Sequence, residues 1–144
     1  MRAGKRAQVT REFMIVARVE SLILGKGVDD AIHRAKIYIA AGADAVMIHY
    51  KGTDPTEYFE CCARYAELEV RVPLVVVPST FSQVREEELS ERGVRMVIYA
   101  NQLLRSAYPA MTRTAQSILA HGRAQESEQE LMGIREILTL IPGH

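Results

Sequence analysis

The sequence predicts an α/β fold in which four parallel β-strands alternate with helices, as in half of a (β/α)8 barrel. Short, continuous apolar runs recur along the chain, and each is followed by polar residues. Such runs are typical of parallel strands that are buried on both faces. The intervals between them have the periodicity and the boundary residues of helices. A complete barrel takes about 250 residues, so the pattern in this chain of 144 residues fits half of one.

The four predicted strands are the apolar runs Phe13–Ala17, Ala45–Ile48, Leu74–Val77 and Met96–Ala100. The residues that follow them are Arg18, His49, Pro78 with Ser79 and Thr80, and Asn101. An open parallel sheet and a barrel both place their functional sites at the C-terminal ends of the strands. The pattern alone leaves both architectures open. No Gly-x-Gly-x-x-Gly run follows a strand, which disfavours a dinucleotide-binding sheet.

The first helix between the strands is predicted over residues 28–41. Gly42 should end it, because glycine adopts the left-handed conformation at little cost. The residues expected on its buried face are Val28, Ala31, Ile32, Ala35 and Ile39.

The next helix should begin within Asp54-Pro55-Thr56-Glu57. There Asp54 can cap, Pro55 suits the first helical position and Glu57 can complete a capping box. A short third helix is predicted over residues 84–91. Its acidic run, residues 86–88, is expected to face solvent, since consecutive helical side chains diverge and rarely converge on one metal ion.

Beyond Asn101 the pattern changes to helices alone. A long helix is predicted over residues 102–122, with Pro109 bending or interrupting it. A final helix carries an apolar stripe of Leu131, Ile134, Leu138 and Ile141. That stripe must pack on its own domain or on a neighbouring subunit. We therefore predict a half-barrel over residues 1–122 and a C-terminal helical segment over residues 123–144.

Composition excludes several classes of partner. Eighteen basic and eighteen acidic residues cancel, so no overall field attracts nucleic acid or an anionic membrane. Cys61 and Cys62 are adjacent within a helical stretch, which predicts two packed thiols and neither a long-range disulfide nor a zinc site. No signal sequence or transmembrane run is recognised. A cytoplasmic location is expected.

Longer motifs coincide with the predicted elements. They are Ile15–Glu20, Gly27–Ala31 with Arg34–Ala35, Ala40–Ala45, Ile48–His49, Val72–Pro78, and Gly93–Asn101 with Leu104–Arg105. In this order and spacing they resemble strands five to eight of the phosphoenolpyruvate mutase branch of the isocitrate lyase superfamily. The resemblance extends from about the first residue to beyond residue 110. It implies the C-terminal half of a TIM-type (β/α)8 barrel.

The resemblance implies that Arg18 and His49 contact the phosphoryl or phosphonyl group of the substrate. A guanidinium fork and an imidazole suit phosphoryl oxygens, which supports these roles chemically. Glu20, Thr80 and Asn101 are expected to support the site or line its rim. Spacing alone also allows Arg18 to pair structurally with Glu20, two residues along the same strand face. Thr80 and Asn101 could instead serve at helix starts.

The implied activity is the interconversion of phosphoenolpyruvate and phosphonopyruvate, a step of phosphonate biosynthesis that uses Mg²⁺. Carbon–carbon lyases of the superfamily tend to have a carboxylate where this chain has His49, which favours phosphorus chemistry. The family's metal ligands and catalytic loop belong to the first four βα units, and none of them is recognised here. We therefore assign no metal ligand and no catalytic residue to the chain.

Two alternatives remain open. One is a phosphonopyruvate hydrolase, which uses a similar barrel. The other is a truncated or split half-barrel that assembles with an N-terminal half or with itself and has no activity alone. A homo-oligomer is expected, since the family often exchanges a C-terminal helix between subunits.

Overall fold

Four apolar segments form one sheet in the order in which they occur along the chain. In the computed structural model, which describes residues 1–140, the strands are β1 (Val16–Val19), β2 (Ala45–Ile48), β3 (Leu74–Val76) and β4 (Val94–Val97). Each strand is parallel to the next, and the sheet order is β1-β2-β3-β4. The predicted α/β fold of consecutive parallel strands is confirmed.

Helices fill the intervals between the strands. They are α1 (Arg2–Ala7), α2 (Gly27–Ala40), α3 (Thr56–Ala66), α4 (Glu86–Glu91), α5 (Gln102–His121) and α6 (Ile134–Leu138), and a 3-10 helix spans Gln125–Glu130. Two compact units divide the described chain: one covers Met1–Ala100 and contains the sheet, and the other starts at Asn101. The sequence-predicted boundary at residue 122 falls on Gly122, which ends α5.

The core of the first unit lies on one face of the sheet. Side chains of alternate strand residues pack there against α2, α3 and the segment before α4. The largest fully buried members are Tyr58, Phe81, Ile48, Leu74, Leu89, Val19 and Val46. On the other face, Val16 is 41% exposed and Met96 is 49% exposed. In the first unit, helices therefore cover one side of the sheet.

The boundaries of three strands differ from those predicted, since β1 and β4 are shifted along the chain and β3 ends one residue earlier, at Val76. β1 starts at Val16, and Phe13 and Met14 precede it with exposed side chains. β4 starts at Val94, two residues before the apolar run. The reason is physical: a strand extends as far as its backbone pairs, and pairing starts at Val16 with Ala45 and at Val94 with Leu74. Hydropathy records burial of side chains and does not record this ladder.

The predicted face of α2 is confirmed, since Val28, Ala31, Ile32 and Ala35 are buried. Ile39 is half-buried against the same core. Gly42 has a φ of 94°, as expected of a glycine that ends a helix. Its N–H donates to the carbonyl of Ile39 at 2.9 Å.

The start of α3 was predicted only in part. Asp54 does cap it, because Oδ1 accepts hydrogen bonds from the backbone N–H of Thr56 at 3.0 Å and from its hydroxyl at 2.6 Å. Pro55 precedes the first helical residue, and no capping-box bond from Glu57 occurs among the described residues. Asp54 satisfies the N–H of Thr56 itself.

Cys61 and Cys62 are free thiols packed in the core on α3, as predicted. Burial raises the pKa of Cys61 to about 12. It raises the pKa of Cys62 to about 11. Both thiols are therefore protonated and chemically quiet in the folded chain at neutral pH.

The helices after α4 follow the prediction less closely. α5 covers the predicted stretch with Pro109 inside it. α6 is only five residues long, and the polar stretch before it forms the 3-10 helix. The predicted stripe is exposed at Leu131, Ile134 and Leu138, while Ile141 lies outside the described residues. Within residues 1–140, no helix combines the length and the apolar character needed to cross a membrane.

We expect Gly42→Ala to destabilise the chain by about 1 kcal/mol or more, because an L-residue is strained at positive φ. A Cβ there would also approach Cγ of Lys5 to 3.4 Å. The measurement is the free energy of unfolding in urea. Gly133→Ala is the matched control, since that glycine has a φ of −58° and open space around it. Equal stability of the two variants would contradict the role given to Gly42.

Candidate functional site

The ends of β1 and β2 bring three sequence-predicted site residues together. The two strands pair residue by residue, with Arg18 opposite Met47 and Val19 opposite Ile48. The backbone N–H of His49 donates to the carbonyl of Val19 at 2.9 Å, which extends the pairing one step beyond β2. Parallel pairing therefore places the side chain of His49 beside those of Arg18 and Glu20.

These three side chains form one hydrogen-bonded cluster, which we call the Arg18–Glu20–His49 cluster. Arg18 Nε donates to Glu20 Oε1, and Arg18 Nη2 contacts His49 Nδ1. Glu20 Oε2 lies 3.0 Å from His49 Nδ1. The side chains remain accessible, with 49% of Arg18, 39% of Glu20 and 27% of His49 exposed. The pairing of Arg18 with Glu20 that the spacing allowed is thus present.

Glu20 selects the proton position on His49. A single Nδ1 cannot both donate to Glu20 and accept from Arg18, so its proton is best placed on the bond to the carboxylate. This leaves Nε2 of His49 directed away from Glu20, available to a ligand.

Two opposing effects set the ionisation of Glu20. Partial desolvation raises its pKa, but hydrogen bonds from His49 and Arg18, together with their charges, outweigh that effect and lower the pKa below its usual value. Glu20 is therefore ionised at neutral pH. The cluster then combines one carboxylate with one permanent cation and one imidazole, which leaves it able to accept an anion.

An aromatic group that sequence reasoning missed stands directly after His49. The ring of Tyr50 packs edge-on against the ring of Phe81, with 5.8 Å between the ring centroids. Its centroid lies 6.2 Å from that of Tyr58. Its hydroxyl donates to the backbone carbonyl of Asp54 at 2.7 Å. These contacts hold the segment after β2 in place and so fix the position of His49. The sequence signal was the closeness of Tyr50 and Tyr58 in a chain of which 6% of the residues are aromatic.

The two predicted rim residues are Thr80 and Asn101, and within the first unit Thr80 makes no hydrogen bond to the cluster. Thr80 follows β3 with an exposed side chain, and α4 begins only at Glu86, so Thr80 does not start that helix. Asn101 occupies the N-cap position of α5 but makes no side-chain cap bond. It belongs to the second unit. Their roles in the rim stay predictions.

The donor set of the cluster suits an anion better than a metal ion. Glu20 is its one carboxylate, and both of its oxygens are already engaged by Arg18 and His49. Across residues 1–140, no group of three or more His, Cys, Asp or Glu side chains is arranged to hold a metal. Mg²⁺ prefers several oxygen ligands, so the described residues do not fit a magnesium site.

Comparison with known proteins identifies the family. The sequence model described as "Phosphoenolpyruvate phosphomutase" matches residues 1–119. The chain belongs to the phosphoenolpyruvate phosphomutase family. The part of the family that it matches is the C-terminal half, as the motifs predicted. The four strands are accordingly those of half a TIM-type barrel.

Relatives with different activities resemble the chain to a similar degree. A phosphoenolpyruvate phosphomutase of Tetrahymena pyriformis is 34% identical over 140 residues, which is 97% of this chain and 46% of that protein. The solved phosphoenolpyruvate phosphomutase of Streptomyces platensis subsp. rosaceus is 36% identical, with a TM-score of 0.87 over 95% of this chain and 47% of its own. Related 2-methylisocitrate lyases are 27–30% identical.

A phosphonopyruvate hydrolase solved in complex with oxalate and Mg²⁺ is 34% identical, with a TM-score of 0.84 over 95% of this chain and 48% of its own. The magnesium in that complex points to a magnesium-dependent family. The chain spans about half the length of these relatives. Family membership and the half-barrel are therefore established, while the reaction is a separate question.

We expect Glu20→Gln to lower the stability of the chain more at neutral pH than in acid. Ionised Glu20 contributes stability above its unfolded pKa of about 4.5, and that contribution is lost as the pH falls through the lower folded pKa. Urea denaturation between about pH 7 and about pH 3 measures the difference. Glu69→Gln, at an exposed position outside the cluster, is the control. An equal loss at both pH values would contradict the charge role of Glu20.

Proposed function

We propose that the chain supplies the phosphoryl-binding half of the active site of an enzyme that interconverts phosphoenolpyruvate and phosphonopyruvate. One observation carries the proposal: Arg18 and His49 meet at the C-terminal ends of adjacent strands, beside an ionised carboxylate. The C-terminal ends of the strands are where barrel enzymes bind their substrates. Thr80 would line the rim of the same site.

The reaction breaks the bond between phosphorus and the enol oxygen and forms a bond between phosphorus and carbon. Negative charge on the phosphoryl oxygens must be neutralised while the group moves. Arg18 presents a permanent guanidinium for this purpose, with donors beyond the one that binds Glu20. His49, with Nδ1 bonded to Glu20, offers Nε2 to a second oxygen when the ring is protonated. Neither residue acts as the nucleophile.

Magnesium is the cofactor that the family implies. Because the donor set of the described residues does not fit it, no step is assigned to a metal on this chain. We propose that the ion and the nucleophilic loop belong to a complementary N-terminal half. The two halves would associate in the cytoplasm. The assembled enzyme would be a homo-oligomer.

Hydrolysis of phosphonopyruvate is the second candidate reaction. It is favoured by the hydrolase relative, which is 34% identical to the chain. Arg18 and His49 would bind the phosphonyl group in the same way, while water takes the phosphoryl group and pyruvate leaves. ³¹P NMR separates the two reactions, because the mutase yields phosphoenolpyruvate and the hydrolase yields inorganic phosphate.

Assembly without activity is the third candidate. The open face of the sheet carries partly exposed Val16 and Met96, and β1 and β4 are the edge strands of the described sheet. Unpaired edges favour association with another chain. An N-terminal half or a second copy would cover them.

We expect no turnover of phosphonopyruvate by the chain alone in the presence of Mg²⁺, and measurable turnover after it is mixed with a polypeptide carrying the N-terminal half of the Tetrahymena phosphomutase. The reason is that no metal-binding group occurs among the described residues, and that the family resemblance assigns the catalytic loop to the first four βα units. The measurement is ³¹P NMR of the reaction mixture. Turnover by the chain alone would refute the proposed division of the site.

In the reconstituted pair, Arg18→Ala should reduce kcat/KM by roughly 100-fold, since it removes a donor to developing charge. His49→Ala should act in the same direction. Arg113→Ala, an exposed arginine of α5, is the control and should leave the rate unchanged. Near-normal turnover by the Arg18 variant would refute its phosphoryl-binding role.

A further inference from the structure

A cavity of about 320 Å³ lies between the segments that lead into β3 and β4. Its lining includes Pro73, directly before β3, and Gly93, directly before β4. The Arg18–Glu20–His49 cluster lies at the C-terminal ends of β1 and β2. Because all four strands are parallel, the cavity and the cluster lie at opposite ends of the sheet. The cavity is therefore separate from the proposed substrate site.

Three arginines, Arg71, Arg92 and Arg95, line the cavity, and no carboxylate does. Arg92 is partly neutralised, since its Nη2 lies 3.1 Å from Glu88 Oε1. Its guanidinium is also held over the ring of Phe59, 3.7 Å from the centroid. Glu88 and Phe59 thus hold the guanidinium of Arg92 in position.

The other two guanidinium groups have no acidic partner among residues 1–140. Arg71 donates from Nη1 to the backbone carbonyl of Ala66, which orients it without neutralising it. For Arg95 no side-chain hydrogen bond or ion pair occurs within that described part of the chain. The cavity therefore has a strong excess of positive charge.

A bulge in β4 accounts for the position of Arg95. Val94 pairs with Leu74, and Met96 pairs with the next residue, Val75. Arg95 is thus an extra residue with no partner on β3. Bulges redirect side chains that strict alternation would send to one face of a sheet. Here the bulge accompanies a third guanidinium at the same cavity.

The remaining wall of the cavity is largely apolar. It is formed by Cys62, Tyr65, Ala66, Val72 and Pro73. The volume is at the lower end of the range for small-molecule sites. Arginine binds carboxylate and phosphate groups through two parallel N–H bonds. We propose that the cavity binds a small organic polyanion, whose carboxylate or phosphate groups contact Arg71, Arg92 and Arg95 and whose carbon skeleton packs on the apolar wall.

The test is isothermal titration calorimetry of the full chain with two probes, citrate and glycerol 3-phosphate, which represent the carboxylate and the phosphate form of the ligand. We expect saturable binding of at least one probe, weakened by added KCl as for any contact between charges. Arg71→Gln and Arg95→Gln should each weaken it by about tenfold or more, because each removes hydrogen bonds to a charged group.

Two matched variants separate this site from other anion contacts. Arg18→Ala removes the proposed phosphoryl ligand, and Arg113→Gln removes an exposed arginine of α5. Both should bind the probe within about twofold of the unmodified chain, since distant sites behave independently. Thermal unfolding without the probe checks that each variant is folded. The proposal is overturned if the unmodified chain binds neither probe, if Arg95→Gln binds as well as the unmodified chain, or if Arg18→Ala abolishes binding.

Discussion

The register of β1 against β2 is the constraint on which the candidate site depends. Arg18 and Glu20 project from one face of β1 because they are two residues apart, and His49 joins them because Val19 pairs with Ile48. A slip of one residue would turn every side chain of β1 to the opposite face. Arg18 would then enter the helix-covered core, where Val19 and Ile48 are now buried. Burial of the core residues and assembly of the site are thus set by the same pairing.

Charge balance within the cluster follows from this geometry. Glu20 bonds to both Arg18 and His49, so it holds the guanidinium and the imidazole side by side. An entering phosphoryl group would bring more negative charge than Glu20 alone supplies. If the cluster has the proposed phosphoryl-binding role, it is organised before the anion arrives and needs little reorganisation to bind it.

The sequence predicted the order and parallel direction of the strands well, because strands that alternate with helices are joined by parallel crossovers. The continuous apolar runs overstated the burial, since one face of the sheet keeps Val16 and Met96 partly exposed. The sequence also predicted that Arg18 and Glu20 share a face, since that follows from the period of a strand. That Arg18 and His49 contact one group was implied by the family resemblance alone, because pairing between distant segments leaves no local pattern. The contact of His49 with Glu20 was not predicted. The same limit explains the errors at the ends of β1 and β4. The bulge at Arg95 had no sequence signal, because a bulge is defined by the pairing with the neighbouring strand: Val94 and Met96 pair with consecutive residues of β3.

The paired thiols of α3 have a practical consequence. Cys61 and Cys62 are enclosed between the helix and the sheet, and desolvation raises their pKa values. Neither can react with an alkylating reagent while that layer is closed. The rate at which an alkylating reagent modifies them therefore measures how often the core opens transiently. Because the chain has no tryptophan whose fluorescence could be followed, these two thiols offer an alternative probe of its local unfolding.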